Sequence, residues 1–236
     1  MRLCATAAIC FLALTGHAYA QSSSDYFLDS VPQANSDTCQ SYSIVLALAH
    51  TGHGDFPLHN AEQLRVAELK FRKWVNNIAA TDTKRSPAHH EVWAEALEQY
   101  VDKRFRLKRE YLDFLDWLKR VGEITGSKDV SIQPELAAAK AKRVAMTSVE
   151  ALGGTVYGKQ GHIVSVLAID GAANASPVTA IFFNSAIRGP KAEKRACSVD
   201  DLPGDYRYHA GLVKTNSYTL KAFEEGKHFL MWLEKN

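Results

Sequence analysis

The stretch HIVSVLAIDGAANASPVTAIFFNS, residues 162–185, sets the fold. Ile163 to Asp170 and Val178 to Phe183 are β-branched, apolar runs of strand length. The residues between them, Asp170 to Pro177, carry Gly171, Asn174, Ser176 and the proline, and read as a hairpin loop. An antiparallel register centred on Ala173 sets His162 opposite Asn184, each eleven positions from the centre. The hairpin therefore brings an imidazole and a side-chain amide within reach of each other at the open end of two strands.

Upstream of this hairpin the chain reads as helical. A pattern starting at about Cys39 runs through Ile44, Leu46 and Leu48 and is apolar nearly all round, which predicts a buried helix. Asp37 or Thr38 can cap its start, and Gly52 and Gly54 stop it. Leu64, Ala67, Leu69, Phe71, Trp74, Val75 and Ile78 give a second helix over about Asn60 to Ala80. Ser86-Pro87 is a helix start, and the pattern behind it runs to about Val121 with a kink or a break near Arg104–Lys108. The charges from Lys103 to Arg109 read as a solvated helix face. A further helix is expected over about Pro134 to Leu152. The texture turns strand-like at Gly153-Gly154. Tyr206 to Val213 reads as another strand, and Leu220 to Leu233 as a terminal helix or strand, with Gly226 weighing against the helix. The expectation is an α+β fold: one domain over 21–236, with a helical part at 39–152 and a β-rich part at 153–236.

Composition narrows the function classes. The chain has 236 residues, 46% hydrophobic and 23% charged, with a net charge of +2. That is globular composition, and the charge balance gives no case for nucleic acid or an anionic membrane as partner. Residues 1–20 read as a secretory signal peptide: Arg2, then a short apolar run from Leu3 to Leu14, then Ala18-Tyr19-Ala20 as the cleavage site. The expected mature chain is secreted or periplasmic, without a membrane span. Cleavage removes Cys4 and Cys10 and leaves Cys39 and Cys197. Exported compartments are oxidising, so a Cys39–Cys197 disulfide competes with any chemical role for Cys39.

The candidate chemistry is nucleophilic. Cys39 opens a helix, where unpaired N–H groups and the helix dipole favour a thiolate. His162 is placed as general base, and Asn184 as the group that orients it. Gln33, six residues before Cys39, can donate to a developing oxyanion together with the Cys39 backbone N–H. Asp170 lies at the far end of His162's own strand, too distant to replace Asn184. His50, His53, His59 and Asp55 lack a regular ligand spacing and read as a solvated loop, so no metal site is expected. His89-His90 reads as surface in a first helical turn. No phosphate loop or dinucleotide fingerprint is present, so no cofactor is expected.

On Gln33, Cys39, His162 and Asn184, in that order, the chain resembles the papain-like cysteine peptidases. The six-residue step from Gln33 to Cys39, the long stretch before His162 and the pair Asn184-Ser185 are similar to that family's pattern. The resemblance implies a papain-like fold, in which a central Cys-bearing helix packs on an antiparallel sheet. It also implies a thiol hydrolase acting on a protein or peptide substrate, and a divergent, bacterial exported member. Asp37-Thr38-Cys39-Gln40-Ser41-Tyr42 departs from the family's Cys-Gly-Ser-Cys-Trp run, and Ala186 stands where Trp-Gly is usual. The substrate pockets therefore do not carry over, and deamidase or acyltransferase chemistry stays open. The competing class is a non-catalytic secreted or periplasmic binding protein with a structural Cys39–Cys197 disulfide.

Overall fold

The computed structural model describes residues 33–34, 38–51, 61–151, 162–170, 179–185, 210–215 and 218–236. The leader at 1–20, Asp37, Gly52, Gly54, Gly153-Gly154, positions 171–178 of the hairpin loop and Cys197 lie outside them. The fold is α+β, with helices packed on an antiparallel sheet. Helix α1 (Cys39–His50) is buried at 11 of its 12 positions, as an apolar run without a polar face requires. Thr38 stands at its N-cap through its carbonyl, which accepts from Tyr42 N at 2.9 Å, and its side chain makes no capping bond. Helix α2 (Ala61–Ala79) buries Leu64, Ala67, Phe71, Val75 and Ile78 on one stripe and packs against α1.

The long helix expected from Ser86 to Val121 is three elements. Ser86-Pro87 forms a turn ahead of the helix, with His89 N bonded to Ser86 O at 2.9 Å. Helix α3 (His90–Tyr100) ends just before Asp102 and Lys103, which take left-handed φ values of 51° and 56°. Two consecutive residues in that region cannot continue a right-handed helix. Strand β1 (Phe105–Leu112) follows, then helix α4 (Phe114–Thr125), closed by Gly126 at φ 74°. The charged run is thus not a helix face but part of an edge strand: Phe105 and Leu107 are buried and Arg106 is exposed. Arg106 and Lys108 both reach Glu234 on the neighbouring strand. Charge along an edge strand discourages further strand pairing.

The helix expected over Pro134 to Leu152 is also divided. Helix α5 (Pro134–Lys140) stops at Ala141, whose ψ of 125° is extended, and strand β2 (Ala145–Ala151) follows. The β-rich part therefore starts before Gly153. Strands β3 (His162–Ile169), β4 (Ala180–Ser185), β5 (Ala210–Thr215), β6 (Tyr218–Leu220) and β7 (His228–Lys235) complete the described sheet. The terminal segment is a strand, entered through a short 3-10 turn at Glu224–Gly226. Strand order is β1-β7-β2-β3-β4-β5, with β6 paired to β2, and all pairs are antiparallel.

Alternation along the strands sorts the core into two sides. Met146, Ile163, Ile181, Phe183 and Met231 pack with α1, α2 and α3. Ala145, Val164, Phe182, Leu230 and Trp232 pack on Trp117, Leu118 and Val121 of α4. Each large side chain buried in this way contributes about 1.5–3 kcal/mol. Tyr42 of α1 lies parallel over Phe183 of β4, with ring centroids 5.7 Å apart, and so fixes the start of α1 against the end of that strand.

Candidate active site

Cys39 is the first residue of α1, only 6% exposed, with Sγ 3.6 Å from Gln40 Oε1. The first turn of α1 carries no acidic residue, so nothing in it offsets the positive end of the helix. His162 is the first residue of β3 and is 3% exposed; Asn184 is the penultimate residue of β4 and fully buried. The two are joined at 2.7 Å, His162 Nε2 to Asn184 Oδ1. An amide oxygen only accepts, so this bond places the ring proton on Nε2 and makes Nδ1 the basic nitrogen. Burial pushes the His162 pKa down to about 4, against the opposing pull of the Asn184 bond. The imidazole is neutral at pH 7.

The expected pairing is reached by a different register. Ser165 faces Phe183, and one step on Asn184 comes opposite Val164, not His162. The imidazole and amide meet as diagonal neighbours on one face. A β-bulge between Val166 and Ala168 makes this possible. The register before it, Ala168 with Ile181, would carry Asn184 opposite Ser165, on the other face.

By the same alternation His162 belongs with Val164, and Asn184 with Phe182, on the side of the sheet that packs on α4. Its register partner Val149 lies on that side too. Ile163 and Phe183 lie on the α1 side. Cys39 and the His162–Asn184 pair thus approach the ends of β3 and β4 from two sides.

Gln33 is brought to the same strand end. Its backbone N donates to Ser185 O at 3.0 Å, and Ser185 Oγ donates to Gln33 Oε1 at 2.7 Å. That second bond fixes the amide, with Nε2 turned away from Ser185. The neighbouring Ala34 N donates to both carboxylate oxygens of Glu68 at 3.0 Å. Glu68 is fully buried on α2. Its place four residues after Leu64 and three before Phe71, on a buried stripe, is the sequence sign that a charge there has a fixed partner.

The remaining candidates separate. Asp170 lies at the other end of β3, where its N bonds Thr179 O at 2.8 Å. His50 Nε2 lies 2.8 Å from Ala141 O, and burial lowers its pKa. His53, Asp55 and His59 lie outside the described residues. His89 is exposed as expected, and His90 is half-buried, its ring edge to face with Trp93. Gln40 and Ile163, the residues after Cys39 and His162, line one cleft of about 340 Å³ with Ser148 and the start of α3. No protein-family model, curated protein or solved structure matches this chain.

Proposed function

We propose that this chain is an exported thiol hydrolase of papain-like type, cleaving an amide or peptide bond in a protein or peptide substrate. The observation that carries the proposal is the buried His162–Asn184 bond, which leaves Nδ1 as the base. The same strand end holds Gln33, and α1, which Cys39 opens, packs on β3 and β4. In this mechanism neutral His162 takes the Cys39 proton at Nδ1 as Sγ attacks the carbonyl carbon. The Gln33 amide and the Cys39 N–H hold the oxyanion. The imidazolium then returns its proton to the leaving nitrogen as the C–N bond breaks, and water releases the acyl group from sulfur. The apolar leader at the N-terminus supports a secreted or periplasmic location. No cofactor takes part in this chemistry.

A second reading, a non-catalytic exported binding protein with a Cys39–Cys197 disulfide, is favoured by one observation. The His162–Asn184 pair belongs to the sheet side away from α1, where a buried, satisfied pair also serves packing alone.

Alkylation of the unreduced mature protein at about pH 6, read by peptide mass spectrometry, separates the two, because an ordinary thiol is slow there. The thiol hydrolase predicts selective labelling of Cys39 that falls by about tenfold or more in His162→Ala. Recovery of an intact Cys39–Cys197 peptide supports the binding protein. Labelling indifferent to His162 refutes the catalytic pair.

A further inference from the structure

We infer that Gln40 is a positioning residue for the nucleophile, its amide oxygen holding Cys39 as a neutral thiol at rest. Its functional meaning rests on Cys39 being the attacking group, as proposed above. Gln40 is the first residue after the cysteine, at a position where this chain departs from the papain-like run. Its Oε1 lies 3.6 Å from Cys39 Sγ, within reach of a hydrogen bond from sulfur. An amide oxygen only accepts, so the hydrogen of this bond is the thiol's own. A bond made to the protonated form of a group disfavours its ionised form.

Two further features act the same way. Cys39 is 6% exposed, and burial among apolar side chains disfavours a thiolate. The His162 imidazole, neutral down to about pH 4, offers no cation to hold one. Against them stands the start of α1, whose free N–H groups favour an anion and whose first turn carries no acidic residue. Gln40 tips this balance toward the thiol. The sulfur then gives its proton to His162 only as attack begins, the order that the proposed mechanism needs. Gln40 is half-buried, so it can be replaced without disturbing the helix, the imidazole or the core.

The unreduced mature chain is alkylated with iodoacetamide between about pH 5 and about pH 9, and Cys39 labelling is read by peptide mass spectrometry. In Gln40→Leu the midpoint of labelling against pH is expected to fall by about half a unit, a rise of about threefold at about pH 6. In Gln40→Glu, which keeps an oxygen at the sulfur and adds a negative charge, the midpoint is expected to rise by about one unit. A side chain that only fills space changes the rate by one factor at every pH and leaves the midpoint in place. In the wild-type chain the Gln40 Nε2 resonance is expected to move with the Cys39 titration, a readout that needs no variant. An unmoved resonance, a midpoint unchanged in both variants, or one that rises in Gln40→Leu overturns the inference. The last result would turn the amide nitrogen, not the oxygen, to the sulfur. The thiol hydrolase is judged separately, on His162→Ala. A midpoint shift with labelling indifferent to His162 supports the role of Gln40 and refutes the hydrolase; His162-dependent labelling with an unmoved midpoint does the reverse. An intact Cys39–Cys197 peptide overturns both.

Discussion

His162 makes the stability of this fold acid-sensitive, whether or not it is a base in catalysis. Its imidazole is 3% exposed, and burial lowers its pKa from 6.5 to about 4. In an unfolded chain the ring takes up a proton near pH 6.5; in the folded chain it stays neutral down to about pH 4. Below pH 6.5 the unfolded state therefore binds more protons, and stability falls as pH drops, at about 1.4 kcal/mol per unit. The contribution is intact above the unfolded pKa and is lost by the folded one, a total of about 3 kcal/mol. His90 acts in the same direction. Replacing the group, as in His162→Gln, removes its share of the slope. Urea unfolding of both proteins between about pH 7 and pH 4 measures the difference. The wild type should lose about 3 kcal/mol more than the variant across that range. Coincident slopes, or a His162 ring proton that titrates near 6.5 by NMR, would refute the reasoning.

Gly126→Ala should cost about 1–2 kcal/mol in thermal unfolding, because the residue closes α4 at φ 74° and its new Cβ would stand 2.9 Å from Lys142 Cδ. The lysine stem can move aside; the left-handed backbone cannot. Glu68→Gln replaces a buried two-oxygen acceptor by one that offers a single oxygen to Ala34 N. It should cost about 1–3 kcal/mol and speed hydrogen exchange at Ala34 N. Exchange unchanged from wild type would show that Glu68 does not hold this segment.

What was legible in the sequence follows from how each element meets solvent. α1, β3 and β4 are mostly apolar runs, and their types and places were readable directly. β1 was hidden by its own charges. As an edge strand it carries Arg106, Lys108 and Arg109 between Phe105, Leu107 and Tyr111, and that mixture fits a helical period when read across its neighbours. β2 was hidden for the opposite reason. Its described side chains, Ala145 to Val149, are all buried, including the hydroxyls of Thr147 and Ser148. A strand buried on both faces shows no alternation to read. Thr147 is acceptable there because its hydroxyl donates to Phe229 O at 2.6 Å, a partner more than eighty residues away that no local pattern reveals. Gln33, Asn184 and Ser185 could be singled out by their order in the chain, whereas the bonds by which Ser185 and Glu68 hold Gln33's segment in place run across the fold.

The bulge in β3 ties this partial legibility to the site. Loop-centred symmetry predicted that His162 and Asn184 would meet, and they do, but through a register it did not contain. Side chains alternate with a period of two, so a one-residue error in register is an error of face. The bulge between Val166 and Ala168 supplies one residue and returns Asn184 to the face of His162. On the α1 side the cost of that extra residue is absorbed by packing, since Leu167 and Ala168 both join the same cluster. The imidazole–amide pair is therefore a consequence of an irregularity inside an apolar run, four residues along β3 from His162 and facing Phe182, two residues before Asn184. It also leaves the pair on the α4 side while Gln33 and Cys39 come from α1's side. Under the proposed chemistry the two halves meet at the ends of β3 and β4. Catalysis there would depend on how the Tyr42–Phe183 stack and the Gln33–Ser185 bonds hold the first turn of α1 against those strand ends.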